Sequence, residues 1–269
     1  MEKYLIVVDL DGTLMLDFKK DERKATRLLI KLNKNNIVMI ATGRPMRSSM
    51  FMYKKMKLTS PIINYNGALV SNPTDPNFPT TDLRVNKNDI IDILKHIGDD
   101  LLNVFSEIHD NIYVLRMDKV IKPYLHTKGG DIHLGNLEEI LPDNPNGCII
   151  FVKDGASEKV EKYINDNYSD TLRFRYWGED QNFHIGEIYS VDTNKGTGVK
   201  TTIDYYHIKP ENVIVIGDGH NDIEMFQEAA YKVAVSNAHK ELIPHANYIA
   251  DSNTNKGVYK FLKNFFKEK

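Results

Sequence analysis

One short apolar run that ends in two acids constrains the fold of this chain more than any other feature. The run is Tyr4–Val8, and Asp9, Leu10, Asp11 and Gly12 follow it. Its apolar residues do not alternate with polar ones, which is typical of a parallel strand buried on both faces. Ligands of open α/β sheets bind beyond the carboxyl ends of such strands, so the acids stand where a ligand is expected.

Two acids two residues apart can serve a hard cation and proton transfer together. One carboxylate and a neighbouring backbone carbonyl are suitable ligands for the cation, and the second carboxyl stays free to move a proton. The simpler interpretation is a strand followed by an Asp-Gly turn. A calcium-binding EF-hand loop is excluded, because counting from Asp9 puts Leu14 at the glycine position and Lys20 at the closing glutamate.

A second apolar run late in the chain repeats this architecture. Val213–Ile216 is followed by Gly217, Asp218, Gly219, His220, Asn221 and Asp222. We expect Asp218 to supply a second carboxylate to a metal begun by Asp9. Asn221 is expected to hydrogen-bond a substrate oxygen and Asp222 to orient a lysine or a metal-bound water, whereas His220 is expected to face solvent.

Two further turns carry candidate phosphate-binding residues. Ile37–Ala41 is followed by Thr42, Gly43 and Arg44, whose hydroxyl, backbone N–H groups and guanidinium suit phosphate oxygens. Lys195 stands in Asn-Lys-Gly-Thr-Gly and offers a compact positive charge. This is not a Walker P-loop, because the G-x-x-x-x-G-K-[ST] spacing is missing, and each turn alone is also compatible with an ordinary loop.

Strand and helix patterns alternate at both ends of the chain, which predicts an α/β fold with a doubly wound, mostly parallel Rossmann-like core. A stretch rich in Pro, Asn and Asp at 71–81 predicts a linker or exposed loop. Between the two ends, a helix–strand–strand pattern occurs twice and predicts an antiparallel α+β layer inserted into the core. We therefore expect a core of residues 1–82 and 192–269 and an insert of residues 83–191.

Composition describes an ordinary globular protein and excludes several classes of partner. The 35 basic and 37 acidic residues nearly cancel, which gives no field that would favour nucleic acid or an anionic membrane. No apolar run approaches the ~20 residues that span a membrane. The first apolar run is too short for a signal peptide, so the cytoplasm is the expected compartment. Cys148 lies in an apolar run and is expected to be buried in a strand.

The four motifs in order resemble those of the haloacid dehalogenase superfamily of phosphatases. They are DLDGT at 9–13, ATGR at 41–44, NKG at 194–196 and GDGHND at 217–222. The long insert after the second motif, together with NYNGALV at 64–70, is similar to the Cof-type branch of that superfamily. The aspartate at position 11 resembles phosphatases and mutases, because the pump ATPases carry threonine there.

The resemblance implies a role for each motif residue. Asp9 would attack phosphorus and form an aspartyl-phosphate, and Asp11 would act as the general acid and base. Mg²⁺ would be held by the Asp9 carboxylate, the Asp11 backbone carbonyl and the Asp218 carboxylate. The transferring phosphoryl oxygens would be bound by Thr42, Gly43, Lys195 and Asn221, with Asp222 in support. The insert would act as a cap that closes over the leaving group, with Trp177, Tyr176 and His184 as candidate contacts.

Three functions stay open at this point. The first is a Mg²⁺-dependent phosphatase of small phosphorylated metabolites, such as sugar phosphates or phosphorylated cofactors. The second is a phosphosugar mutase on the same scaffold. The third is a non-catalytic phospho-acceptor module for signalling or binding, against which the large insert and the position of Asp11 both count. The sequence does not indicate an oligomeric state.

Overall fold

A computed structural model describes residues 3–180 and 182–267. The helices in these ranges are α1 (Arg23–Leu32), α2 (Met46–Met56), α3 (Lys87–Ile97), α4 (Leu137–Ile140), α5 (Ala156–Tyr168), α6 (Lys195–Tyr206), α7 (Ile223–Gln227) and α8 (Gly257–Phe265). The strands are β1 (Leu5–Val8), β2 (Ile37–Ala41), β3 (Ile62–Asn64), β4 (Leu69–Ser71), β5 (Thr81–Asp82), β6 (Leu101–Ile108), β7 (Asn111–Val114), β8 (Asp131–Leu134), β9 (Gly147–Lys153), β10 (Leu172–Asp180), β11 (Phe183–Ser190), β12 (Val213–Gly217), β13 (Tyr231–Val235) and β14 (Tyr248–Ala250).

The larger sheet has the strand order β14-β13-β12-β1-β2-β3-β4-β5. Neighbouring strands from β14 to β3 pair in parallel, and β4 pairs antiparallel with β3. Every residue of β1, β2 and β12 is buried, because helices cover both faces of these central strands. This arrangement confirms the predicted doubly wound, mostly parallel core.

The smaller sheet has the order β10-β11-β9-β6-β7-β8 and is antiparallel except where β7 pairs with β8. One of its faces packs against α3 and α5 through Ile90, Val160 and Ile150. The other face carries a separate apolar cluster around Phe105 and Phe151. Both layers are therefore α/β structures with cores of their own.

The chain divides into two compact units. The first consists of the described residues up to Arg44, of Ser49–Thr81 and of the chain from Asn194 onward. The second consists of Pro45–Ser48 and Asp82–Thr193. Pro45–Ser48 belongs to the second unit because Arg47 forms a buried ion pair with Glu107 and donates hydrogen bonds to the backbone oxygens of His126 and His109.

Several elements differ from the sequence-based prediction. The amphipathic pattern of residues 20–35 predicts a first helix from Lys20. The helix instead begins at Arg23, because the Glu22 side chain caps it by accepting hydrogen bonds from the N–H groups of Lys24 (3.0 Å) and Ala25 (2.6 Å). The first residue of the predicted loop at 71–81 belongs to β4 and the last belongs to β5. Strands β8 and β14 were not predicted. All four residues of β8 are exposed, and its alternation of polar and apolar residues is too short to indicate a strand.

Two smaller expectations can be compared directly with the structure. Cys148 is fully buried in β9, as its apolar neighbours predicted. Among the described residues, no helix combines the length and the apolar character that crossing a bilayer requires.

Candidate active site

The predicted motif residues lie close together at the carboxyl ends of the parallel strands of the larger sheet. Strands β12, β1, β2 and β3 are neighbours in that order and run parallel. Asp218, Asp9, Thr42 and Asn66 follow them, one after each strand or a few residues beyond it. Parallel pairing alone brings these four turns to the same side, where ligands of such sheets bind.

The Lys195 ammonium lies at the centre of the site. It is fully buried and donates hydrogen bonds to Asp9 Oδ1 at 2.7 Å and to Asp222 Oδ1 at 2.6 Å. Burial alone would lower the pKa of Lys195, but the attraction of Asp222 and Asp9 is stronger and raises it. The lysine is therefore charged, and its third N–H donor is not used by the two acids.

Asp222 is fully buried and holds the fourth motif together. Its Oδ2 accepts hydrogen bonds from the backbone N–H groups of Asp218 and Gly219, both at 2.9 Å, while its Oδ1 holds Lys195. Its two oxygens are thus engaged by the protein, which fits a supporting residue better than a metal ligand.

The acids of the site form a group that suits a divalent cation. Ligand atoms of Asp9, Asp218 and Asp222 all lie within 4.8 Å of one another. Burial, opposed in part by Lys195, holds the pKa of Asp9 well above its usual range, and burial together with Asp222 raises the pKa of Asp218 to about 7. Three carboxylates facing one lysine leave two negative charges uncompensated, and a bound cation would restore the acids to their ionised form.

The turn after β1 is shaped to admit Asp218. Gly12 has a φ of +76°, and a Cβ atom there would lie 2.1 Å from Asp218 Oδ2. The Thr13 hydroxyl donates a hydrogen bond to Asp218 Oδ1 at 2.6 Å, and Asn237 Nδ2 donates to the Gly12 carbonyl at 2.9 Å. Thr13 belongs to the first motif, but sequence reasoning gave it no role.

Asp11 has an environment unlike that of Asp9. Its side chain is 44% exposed and accepts two hydrogen bonds from Arg44, from Nε to Oδ2 at 2.7 Å and from a terminal nitrogen to Oδ1 at 2.5 Å. Arg44 is almost fully buried and also donates to the Phe18 carbonyl. Arg44 was suggested to assist phosphate binding; in this structure its guanidinium binds the Asp11 carboxylate.

The candidate phosphate-binding residues lie beside each other. Thr42 is buried, and its hydroxyl oxygen accepts a hydrogen bond from the Arg44 N–H at 3.2 Å, which leaves its O–H to donate. Gly43 packs against Asn66, since a Cβ atom at Gly43 would lie 2.9 Å from Asn66 Oδ1. Asn221 Nδ2 donates to the same Asn66 oxygen at 2.8 Å.

The structure separates Trp177 from the other two candidate contacts of the insert, Tyr176 and His184. Trp177 Nε1 donates to Glu187 Oε2 at 3.1 Å, and Arg175 lies over the Trp177 ring at 5.4 Å. Tyr176 instead contacts His184, which is hydrogen-bonded to Ser157 of α5. A bulge between Tyr176 and Gly178 accompanies this separation. His220, expected to face solvent, is partly buried and lies 5.5 Å from the His239 ring.

Comparison with known proteins identifies the family. Residues 6–262 match the model of the haloacid dehalogenase-like hydrolases. The chain is 31% identical to 5-amino-6-(5-phospho-D-ribitylamino)uracil phosphatase YitU of Bacillus subtilis, over 98% of this chain and 97% of that protein. It is 25% identical to a second Bacillus subtilis phosphatase of the same name, YcsE, over 97% of this chain and 95% of that protein.

Solved structures share the fold. A haloacid dehalogenase-like hydrolase from Bacteroides thetaiotaomicron superposes with a TM-score of 0.80 at 22% identity, covering 98% of this chain and 100% of that one. The strand-end site and these matches together lead to one assignment. The chain belongs to the haloacid dehalogenase-like hydrolase family of phosphatases, in its Cof-type branch.

Proposed function

We propose that this phosphatase hydrolyses small phosphorylated metabolites with Mg²⁺ through an aspartyl-phosphate on Asp9. The observation that carries the proposal is the buried Asp9 carboxylate at the end of β1, hydrogen-bonded to the Lys195 ammonium at 2.7 Å. A carboxylate can serve as a nucleophile that divides one slow hydrolysis into two easier steps. Phosphate monoesters are among the slowest substrates to hydrolyse unaided, so this division is valuable.

The position of Asp9 suits in-line attack. Lys195 engages Oδ1, while Asp9 Oδ2 accepts no hydrogen bond from the described residues. In the first step an Asp9 oxygen bonds to phosphorus, and the bond from phosphorus to the ester oxygen breaks. In the second step water attacks the aspartyl-phosphate, which releases phosphate and restores the carboxylate.

Asp11 is the proposed general acid and base. It would give a proton to the departing ester oxygen and later take one from the attacking water. Both of its oxygens are engaged by Arg44, so it has to exchange at least one of these hydrogen bonds for the ester oxygen. Its 44% exposure leaves room for such a movement.

The proposed contacts to the transferring phosphoryl group are the Thr42 hydroxyl, the Gly43 backbone N–H, the Lys195 ammonium and the Asn221 amide. The buried Lys195 is held by acids on two sides and needs little reorganisation to receive negative charge, which is where electrostatic stabilisation is most effective. Mg²⁺, held by Asp9, the Asp11 carbonyl and Asp218, would neutralise charge between the anionic nucleophile and the anionic ester.

The first substrate to test is suggested by the relatives. Two Bacillus subtilis proteins that align over nearly the whole chain are named for 5-amino-6-(5-phospho-D-ribitylamino)uracil. This compound is a small phosphate monoester and falls within the proposed class. We propose residues 83–191 as the cap that selects the leaving group, with Trp177 as its first candidate contact.

A phosphoester panel with and without Mg²⁺ tests the function as a whole. Release of inorganic phosphate from several metabolites supports the phosphatase, and full activity in excess chelator would remove Mg²⁺ from the proposal. Transfer of phosphate to a second position of a sugar phosphate would favour a mutase instead. Stable phosphorylation without turnover on every ester would favour a phospho-acceptor module.

Replacing the nucleophile tests the covalent step. We expect Asp9→Asn to abolish turnover while the protein stays folded, because an amide cannot attack phosphorus and its oxygen can still accept from Lys195. Phosphate release and the circular dichroism spectrum are measured on both proteins with saturating Mg²⁺. Substantial residual hydrolysis would contradict the assignment.

The loss of activity on removing the Asp11 proton should depend on the leaving group of the ester. Asp11→Asn is expected to lower turnover of a sugar phosphate by ~10² or more, the usual scale of general acid–base catalysis. Formation of the aspartyl-phosphate from an activated aryl phosphate should suffer less, since its leaving group needs no proton; a rapid-quench burst measures this step. The exposed Asp17→Asn is the control, and equal losses for both esters would argue against the role.

Two glycines with nearly the same φ angle test the metal site. Gly12→Ala and Gly155→Ala both introduce a Cβ at positive φ, +76° and +73°, but only the first meets Asp218, while the second has open space. Both should lose stability by about 1 kcal/mol or more. Only Gly12→Ala should lose Mg²⁺ affinity, measured as the Mg²⁺-dependent rise in Tm. Equal Mg²⁺ responses in the two variants would contradict the proposed ligand set.

Neighbouring aromatic residues on β10 test substrate selection. Trp177→Ala should change the ranking of kcat/KM among metabolite phosphates and leave a small aryl phosphate much less affected, because remote contacts act on the leaving group. Tyr176→Ala, a similarly exposed aromatic beside His184, is the matched control. Uniform losses over all substrates would mean that Trp177 only supports the fold.

A further inference from the structure

The turn Tyr65–Gly67, part of the NYNGALV motif, is not used by the proposed chemistry. Its backbone is unusual, since Tyr65, Asn66 and Gly67 have φ values of 48°, 56° and 107°. Two successive non-glycine residues in the left-handed region cost free energy and persist only where the surroundings enforce them. An observed strain of this kind beside an active site invites a functional explanation.

Asn66 connects the second and fourth motifs. It is 2% exposed, its N–H donates to the Thr42 carbonyl at 3.2 Å, and its Oδ1 accepts from Asn221 Nδ2 at 2.8 Å. The same Oδ1 lies against Gly43, where a Cβ atom would come within 2.9 Å. One side-chain oxygen thus contacts residues from two of the turns that are proposed to bind phosphate.

Gly67 connects the same turn to the third motif. A Cβ atom at Gly67 would lie 2.0 Å from the Asn194 carbonyl oxygen, so only glycine permits this approach. Asn194 caps α6 by accepting the Thr197 N–H at 2.8 Å, and Lys195 is the first residue of that helix. The Tyr65–Gly67 turn therefore touches the supports of Thr42, Gly43, Lys195 and Asn221 together.

We infer that Asn66 is a positioning residue of the phosphoryl-transfer site that acts by fixing the orientation of the Asn221 amide. An amide side chain presents an acceptor or a donor depending on its rotation, and Asn66 Oδ1 can only accept. Asn66 therefore selects the Asn221 rotation in which Nδ2 faces it. The second Nδ2 hydrogen of Asn221 then remains to donate to a phosphoryl oxygen.

A double-mutant cycle tests the coupling between Asn66 and Asn221. Only the activity measurement in this cycle rests on the proposed function. Asn66→Gly removes the side chain and keeps a residue that adopts positive φ without cost. Asn66→Gly and Asn221→Ala should each lower kcat/KM for an aryl phosphate by about tenfold, a typical effect of one lost hydrogen bond to a phosphoryl oxygen. The double variant should be no slower than Asn221→Ala within about twofold, because both changes remove the same interaction.

Asn72→Ala is the matched control for a merely structural effect. Asn72 is also a buried asparagine of the first unit, and it donates to the Thr59 carbonyl and the Tyr206 hydroxyl away from the motifs. Its loss should lower Tm and leave kcat and KM unchanged. Multiplicative losses in the double variant, or full activity of Asn66→Gly, would overturn the inference.

Calorimetric titration with inorganic phosphate and Mg²⁺ separates this inference from the proposed function. The same four proteins of the cycle should give the same non-additive pattern in phosphate affinity. Non-additive binding without ester hydrolysis by the wild type would overturn the proposed function and keep the role of Asn66. Ester hydrolysis with independent effects of the two substitutions would do the reverse, and absence of both hydrolysis and phosphate binding would overturn both.

Discussion

The ion pairs of Lys195 are the interaction on which the rest of the site depends. A fully buried ammonium is costly unless it is paired, and Asp9 and Asp222 both engage it within 2.7 Å. Through these two contacts one side chain joins the turns after β1 and β12. The acids in turn remain buried close together only because the lysine offsets part of their mutual repulsion.

Asp9 and Asp11 are two residues apart, but their environments differ in a way that suits different roles. Asp9 is buried beside a lysine, whereas Asp11 is 44% exposed and bound by Arg44. Neither difference arises from the residue type, since both are aspartates on the same turn. Contrasting environments of paired carboxylates are a general means of dividing nucleophilic and acid–base work.

The sequence predicted the parallel core and the edge where the motifs meet, because buried parallel strands leave continuous apolar runs and end at one side of a sheet. It also predicted that Asp9, Asp218, Asp222 and Lys195 belong to one site. The partners of Arg44 and Asn66 could not be predicted, since hydrogen bonds between distant turns leave no local pattern. Strand β8 was missed because its alternation of polar and apolar residues covers only four positions, and all four of them are exposed.

The pairing of β1 with β12 also determines when this core can form. Leu5 pairs with Val213 and Val8 with Ile216, so the central strand meets one of its two neighbours only near the end of the chain. During synthesis on the ribosome, β1 can pair with β2 early but keeps its other edge open until Val213–Gly217 has emerged. Exposed strand edges associate readily with other chains. The second unit, all of which lies between the two strands in sequence, separates the halves of the core for most of translation.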